Sequence, residues 1–175
     1  TLAEQIGRRN LNKVRMPNLV PSTEYAASLV VNTPPDQADL LVGNGLGGFS
    51  PDGREYVITT ASNNRTPAPW VNVIANAQVG TVISESGQAY TWGENAHEFR
   101  LTPWSNDAVS DGGGEMFYLR DEDNGHFWSP TALPSTGKGD YTTHHGFGYS
   151  TVKHIENGME SGLTIYVAQE ASWKW

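Results

Sequence analysis

Short runs of β-branched and aromatic residues, each closed by a turn signal, recur from residue 55 onward and favour strand pairing throughout this chain. Glu55–Thr60, Val71–Ala75, Thr81–Ser84, Glu115–Arg120 and Leu163–Val167 each have the length and residue types of a strand. Between such runs, Pro51-Asp52-Gly53, Ser86-Gly87, Asn124-Gly125 and Asn157-Gly158 supply the positive φ that tight hairpins need, and Asn-Gly in particular favours the type I′ turn. Met116 to Leu119 is apolar on both faces, which suits a sheet held between layers. The expected fold is all-β, an antiparallel sandwich over residues 43–175.

Residues 1–42 read as an irregular lead-in and first strand. Leu2, Ile6 and Leu11 approach helical spacing, but Gly7 and Asn10 weaken the pattern, and Thr33-Pro34-Pro35-Asp36 suits a short helix or turn. Pro17, Pro21, Pro34 and Pro35 keep the rest irregular or extended.

With 175 residues the chain is long enough to bury a core as one domain. Its 19 acids against 11 bases give a formal charge of −8, and no basic cluster exceeds Arg8-Arg9, so nucleic acid and anionic membrane surfaces would be repelled. The absence of cysteine excludes a disulfide framework, a thiolate zinc site and a cysteine nucleophile. No apolar run reaches the ~18 residues of a membrane span.

Two motifs invite readings that their context opposes. Gly43-Asn44-Gly45-Leu46-Gly47-Gly48 satisfies G-x-G-x-x-G, but Pro51-Asp52-Gly53 and a strand follow where a dinucleotide site needs a helix to hold the pyrophosphate. A tight turn or bulge is expected there. His144 and His145 are adjacent, so on a strand they face opposite sides and cannot easily grip one ion; no metal site is expected. Asp121-Glu122-Asp123 reads as a solvated hairpin tip, an oxygen-ligand calcium site being the alternative.

The chemistry-rich stretch is Ala89 to Asp107. It brings tryptophans, amides, carboxylates and an arginine together without a helical period. Pyranose rings present flat C–H faces that stack on indole, and hydroxyls that need donors and acceptors. Trp92, Asn95, Arg100, Trp104, Asn106 and Asp107 are therefore the candidate sugar-contacting residues. Trp104, after Pro103, is expected on an exposed loop; Trp92 ends a strand and suits either core or site. From these residues alone the chain could be a free-standing carbohydrate-binding module, or a small glycosidase using two carboxylates such as Glu94 and Asp107.

An ordered set of longer motifs narrows the choice. Thr66-Pro67-Ala68-Pro69-Trp70 through Asn76, Ser84 through Asn95 and Arg100 through Asp107 are followed by Tyr118-Leu119-Arg120-Asp121, Trp128-Ser129-Pro130 and His145-Gly146-Phe147-Gly148-Tyr149. Together they resemble the N-terminal β-sandwich of glycoside hydrolase family 94, formerly glycosyltransferase family 36, over roughly residues 43–167. Asn44 to Phe49 and Leu101 to Asp107 look nearest to its cyclic β-1,2-glucan synthase and cellobiose phosphorylase branch. The resemblance implies a galactose-mutarotase-like β-supersandwich, followed in the family by a linker and an (α/α)6 barrel that carries the catalytic aspartic acid.

It also implies that this chain is a fragment without a catalytic residue of its own. Its partners would be a β-glucan or oligosaccharide, the barrel of the same polypeptide and a second copy in a homodimer. No cofactor is expected beyond inorganic phosphate as co-substrate of the parent. A cytoplasmic location is expected, with a membrane anchor compatible in the parent.

Overall fold

The computed structural model describes residues 40–175, so the lead-in, its helical spacing and the Thr33–Asp36 turn lie outside the described residues except for Leu40–Val42. Among the described residues ten strands follow one another: β1 (Gly47–Phe49), β2 (Glu55–Thr60), β3 (Val71–Ala75), β4 (Val79–Ser84), β5 (Ala89–Gly93), β6 (Leu119–Arg120), β7 (Phe127–Trp128), β8 (Tyr141–Gly146), β9 (Tyr149–Glu156) and β10 (Met159–Tyr166). The described residues contain no helix, and every strand pair is antiparallel. They form a five-stranded sheet in the order β1-β2-β8-β9-β10, a three-stranded sheet β3-β4-β5 and the ribbon β6-β7.

Turn chemistry sets these pairings. Glu156 faces Met159 across Asn157-Gly158, whose φ values of 51° and 76° are the type I′ geometry expected of Asn-Gly. The glycine-rich segment 43–48 is a turn as well. Leu41 bridges to Phe49, and the Asn44 carboxamide oxygen accepts the N–H groups of Leu46 and Gly47 at 3.0 and 2.9 Å, so those donors face a side chain and not a phosphate.

The two larger sheets meet through Ile74 and Ile83 on one side and Ile165 on the other, with Leu163 and Val167 packed around them. Beside this core, Tyr141 and Val152 bury against Ala132 of the 129–136 loop. Asn72 fastens β3 to the β8–β9 hairpin: its amide donates to the carbonyls of Gly146 and Tyr149 and to the Ser150 hydroxyl. Asn76 likewise donates to the carbonyls of Ala168 and Ala171.

The β4–β5 connection departs from the ordinary hairpin, because its tip is interior. Glu85, Ser86 and Gln88 are all buried. A buried loop must satisfy its backbone. Here Glu85 N–H donates to the Trp70 carbonyl, Leu133 N–H to the Ser86 carbonyl, and the Thr143 hydroxyl to the Glu85 carbonyl. The Glu85 carboxylate in turn accepts from the Trp70 N–H at 2.8 Å and from the Thr66 hydroxyl.

The strand expected over Glu115–Arg120 is shorter in the structure. Only Leu119–Arg120 pairs, with Phe127–Trp128, while Met116, Phe117 and Tyr118 run as exposed loop. Glu115 is held elsewhere, its carboxylate accepting from Lys174 Nζ at 2.5 Å and from the Thr91 hydroxyl. Residue type favours a strand there, but the nearby edge of β5 is taken by the 99–102 segment, whose Leu101 and Thr102 N–H groups donate to the Thr91 carbonyl.

Candidate functional site

Alternation along the three-stranded sheet divides its side chains between two faces. Ile74, Ile83, Ala89 and Thr91 turn inward and are buried. The outer face carries the rows Val73–Val82–Tyr90 and Ala75–Gly80–Trp92. Gly80 leaves room for the Trp92 indole, since a Cβ at that position would lie 2.2 Å from the ring. Trp104 arrives from the loop after β5 and extends this layer. Tyr90 lies 5.4 Å from Trp92 and 4.9 Å from Trp104 between ring centroids, at interplanar angles of 31° and 52°. The Tyr90 hydroxyl donates to the Ala96 carbonyl, which holds the ring against the loop.

Of the six residues singled out by sequence, three converge here. Trp92, Trp104 and Arg100 line one shallow cleft with Tyr90, Val82 and His97. Arg100 is placed by a backbone bridge to Trp92, and among the described residues its guanidinium has no carboxylate partner. Trp104 is 48% exposed, as its loop position predicts.

The other three have different surroundings. Asn95 builds the turn after β5, its carboxamide oxygen accepting the N–H groups of His97 and Glu98 at 2.8 and 3.0 Å. Asp107 does the same for Val109 and Ser110 at 2.9 and 3.0 Å. The Ser110 and Val109 N–H groups hold the Asp107 carboxyl below its ordinary range, which suits an ionised turn-former better than a proton donor. Asn106 is exposed on the same loop. Glu94, the other carboxylate considered for hydrolysis, is exposed at φ 50°.

A second cleft, of about 290 Å³, shares Val82, Tyr90 and Trp104 with the first. It is lined by Ser84, Gln88 and Asp111 as well as by Asp107, Pro69 and Pro103. Asp111 Oδ2 accepts from the Ser84 hydroxyl at 2.6 Å. Burial pushes the Asp111 carboxyl up, against the lowering effect of that hydroxyl, and the Glu85 charge adds to the rise. Sequence alone singled out Asp107 but not Ser84, Gln88 or Asp111. Tyr90 was legible as the residue two before Trp92 on one strand face, whereas Ser84 and Asp111 are 27 positions apart and meet only through the fold.

The histidines serve the sheets. His144 Nδ1 lies 2.7 Å from Glu55 Oε2, while His145 turns to the opposite face, bonding Ser150 Oγ at 2.9 Å and the Trp70 carbonyl at 3.1 Å. Among the described residues no three potential ligands cluster to hold a metal ion. At the acidic hairpin tip, the Asp121 carboxylate accepts from the Asp123 N–H at 2.9 Å and the Asn124 amide at 2.6 Å.

Antiparallel sheets with this order of motifs define the class: the chain belongs to the glycosyl hydrolase 94 supersandwich domain family, whose profile matches residues 54–175. Among individual relatives, it is 41% identical over 126 residues to the cyclic beta-(1,2)-glucan synthase NdvB of Rhizobium meliloti (strain 1021), covering 71% of this chain and 4% of that protein. It is 35% identical over 124 residues to the N,N'-diacetylchitobiose phosphorylase of Vibrio proteolyticus, covering 69% of this chain and 15% of that protein. The solabiose phosphorylase of Paenibacillus borealis is 29% identical over 133 residues, or 72% of this chain and 16% of that protein. The chain thus spans a small part of each relative's length.

Proposed function

We propose that this chain is the supporting β-sandwich of a larger phosphorylase or glycosyltransferase acting on β-linked glucosides, and that its outer sheet face lends an aromatic ledge to the sugar cleft. The observation that carries the reading is the Tyr90–Trp92–Trp104 layer with Arg100 at its rim. The exposed Trp104 ring, beside the partly buried Tyr90 and Trp92, offers C–H stacking, and a guanidinium without a carboxylate partner among the described residues offers donors to hydroxyls. The names of the relatives, a cyclic beta-(1,2)-glucan synthase, an N,N'-diacetylchitobiose phosphorylase and a solabiose phosphorylase, support a saccharide substrate, and the first of them a β-glucan. In this reading the (α/α)6 barrel, with its general acid, belongs to the same polypeptide, and inorganic phosphate is co-substrate when the reaction is phosphorolysis.

The test is made in the complete enzyme containing this domain. Trp104→Ala should raise the acceptor KM several-fold while kcat is largely kept, because one stacking contact is worth about 1 kcal/mol. An unchanged acceptor KM for both Trp104→Ala and Arg100→Ala would remove the ledge from the sugar cleft and leave only the bracing role.

A further inference from the structure

We propose that the cleft walled by Trp104, Tyr90, Asp111 and Gln88 is a subsite for one neutral pyranose unit, adjoining the Trp92–Arg100 side of the ledge and sharing Tyr90 and Trp104 with it. Such a subsite presupposes a sugar-contacting domain, and it assigns the place where a ring is held. At about 290 Å³ the cleft lies at the small end of ligand sites, which matches a single ring and not a chain. Its walls divide as a sugar requires. Trp104 and Tyr90, with Pro69 and Pro103, give a flat apolar side, and Ser84, Gln88 and Asp111 give a polar one.

Two polar groups there have unused capacity. Asp111 Oδ2 takes the Ser84 hydroxyl, and among the described residues Oδ1 accepts nothing. Gln88 is 6% exposed, and its Nε2 has no hydrogen-bond partner among the described residues. A buried amide donor without a partner is costly and rare. Since Nε2 lies beneath the cleft wall, a ligand hydroxyl would satisfy it only with a turn of the Gln88 side chain, so the Asp111 carboxylate is the polar group the cleft presents directly. The Gln88 side chain is also closely confined, because a Cβ on Gly113 would come within 1.8 Å of Gln88 Oε1. The preference for a neutral ligand follows from charge: Asp107 and Asp111 line the cleft and no lysine, arginine or histidine does. Phosphate and sugar acids would be repelled.

The experiment titrates the chain with glucose, methyl β-glucoside and sophorose, followed by backbone and indole N–H chemical shifts. In the unaltered chain the Trp104 indole and the amides of Asp111 and Gly112 should move together and saturably. Asp111→Asn keeps an acceptor for Ser84 but removes the charge, and should weaken binding roughly ten-fold with the melting temperature nearly unchanged. Shifts confined to Trp92 and Arg100, with Asp111→Asn binding as tightly as the unaltered chain, would overturn the cleft and leave the ledge reading standing. Absence of any saturable shift with all three sugars would also overturn it, and the ledge reading would then be judged by the acceptor KM of the complete enzyme. Tighter binding of methylammonium than of glucose would show a cation site and overturn the neutral-sugar assignment.

Discussion

Trp128 and Trp104 are the same side chain in opposite surroundings, and the contrast separates packing from recognition. Trp128 is 3% exposed on β7 and stacks on His126 with centroids 5.4 Å apart. Trp128→Ala should therefore cost about 3–5 kcal/mol, read as a large drop in the denaturant midpoint. Trp104→Ala should lower the midpoint only slightly; if it unfolds the chain, Trp104 belongs to the core and the ledge fails. Trp92 lies between these cases, half-buried over Gly80. Gly87 is the sharpest backbone test. It sits at φ 84° in the buried β4–β5 turn, and a Cβ there would meet Thr131 at 2.2 Å. Gly87→Ala combines left-handed strain with overpacking and should destabilise by roughly 2–4 kcal/mol in chemical denaturation.

At the scale of the element, β9 carries a buried acid–histidine cluster that makes the fold sensitive to acid. Glu156 Oε1 lies 3.0 Å from His126 Nε2, and its Oε2 accepts the Lys138 N–H at 2.7 Å. His154 Nε2 is 3.4 Å from the same carboxylate, and its ring stacks on Tyr141 at 3.8 Å. Burial lowers the His154 pKa below 6.5, so as pH falls through that value the unfolded chain takes a proton that the folded chain resists, and stability declines. For Glu156, burial pushes upward, but the Lys138 N–H and the His126 and His154 interactions leave the carboxyl net below 4.5. Its contribution is present above 4.5 and is lost as pH falls through the lower folded value. Asp111, raised by burial, acts in the opposite sense just above 3.8. A denaturation series from neutral to acid pH should show falling stability from about 6.5 downward. Glu156→Gln should flatten the part below about 4.5, and an unaltered slope there would mean that Glu156 does not set it.

At the scale of the molecule, the outer face of the three-stranded sheet continues to an edge that is unpaired among the described residues. Trp70 accepts from Glu85 and Asn76 donates to Val79, so alternation points the peptide groups of Val71, Val73 and Ala75 away from the sheet. Val71 and Val73 are also 51% and 60% exposed, and no lysine or proline interrupts β3. This chain should self-associate in solution, and Val73→Lys should reduce the association measured by light scattering without lowering the melting temperature. An unaltered chain that stays monomeric at high concentration would argue for the free-standing module. Incubated with cellobiose, sophorose or β-1,2-glucan plus phosphate, the chain should release no glucose 1-phosphate; turnover lost on mutating Glu94 or Asp107 would promote the two-carboxylate glycosidase.

Local chemistry determined what local residues can determine. β2 and β3 begin and end where their β-branched and aromatic runs do, and Asn157-Gly158 takes the turn its residue types prefer. The separation of His144 from His145 follows from strand alternation alone. Of the candidate site, Trp92, Arg100 and Trp104 were legible as a sugar-like composition in one stretch. Asn95 and Asp107 were not separable from them by residue type, because amide and carboxylate side chains serve turns as readily as ligands, and sequence does not say which hydrogen bonds they make. The tertiary structure decided the rest. It buried the Ser86-Gly87 turn, whose composition reads as a surface hairpin, because loops 66–70 and 129–133 supply the partners its backbone and acid need. It left Met116 to Tyr118 exposed, because the β5 edge beside them is already paired with the 99–102 segment. It brought Ser84 to Asp111, since contacts between distant segments depend on how sheets stack and not on the residues between them.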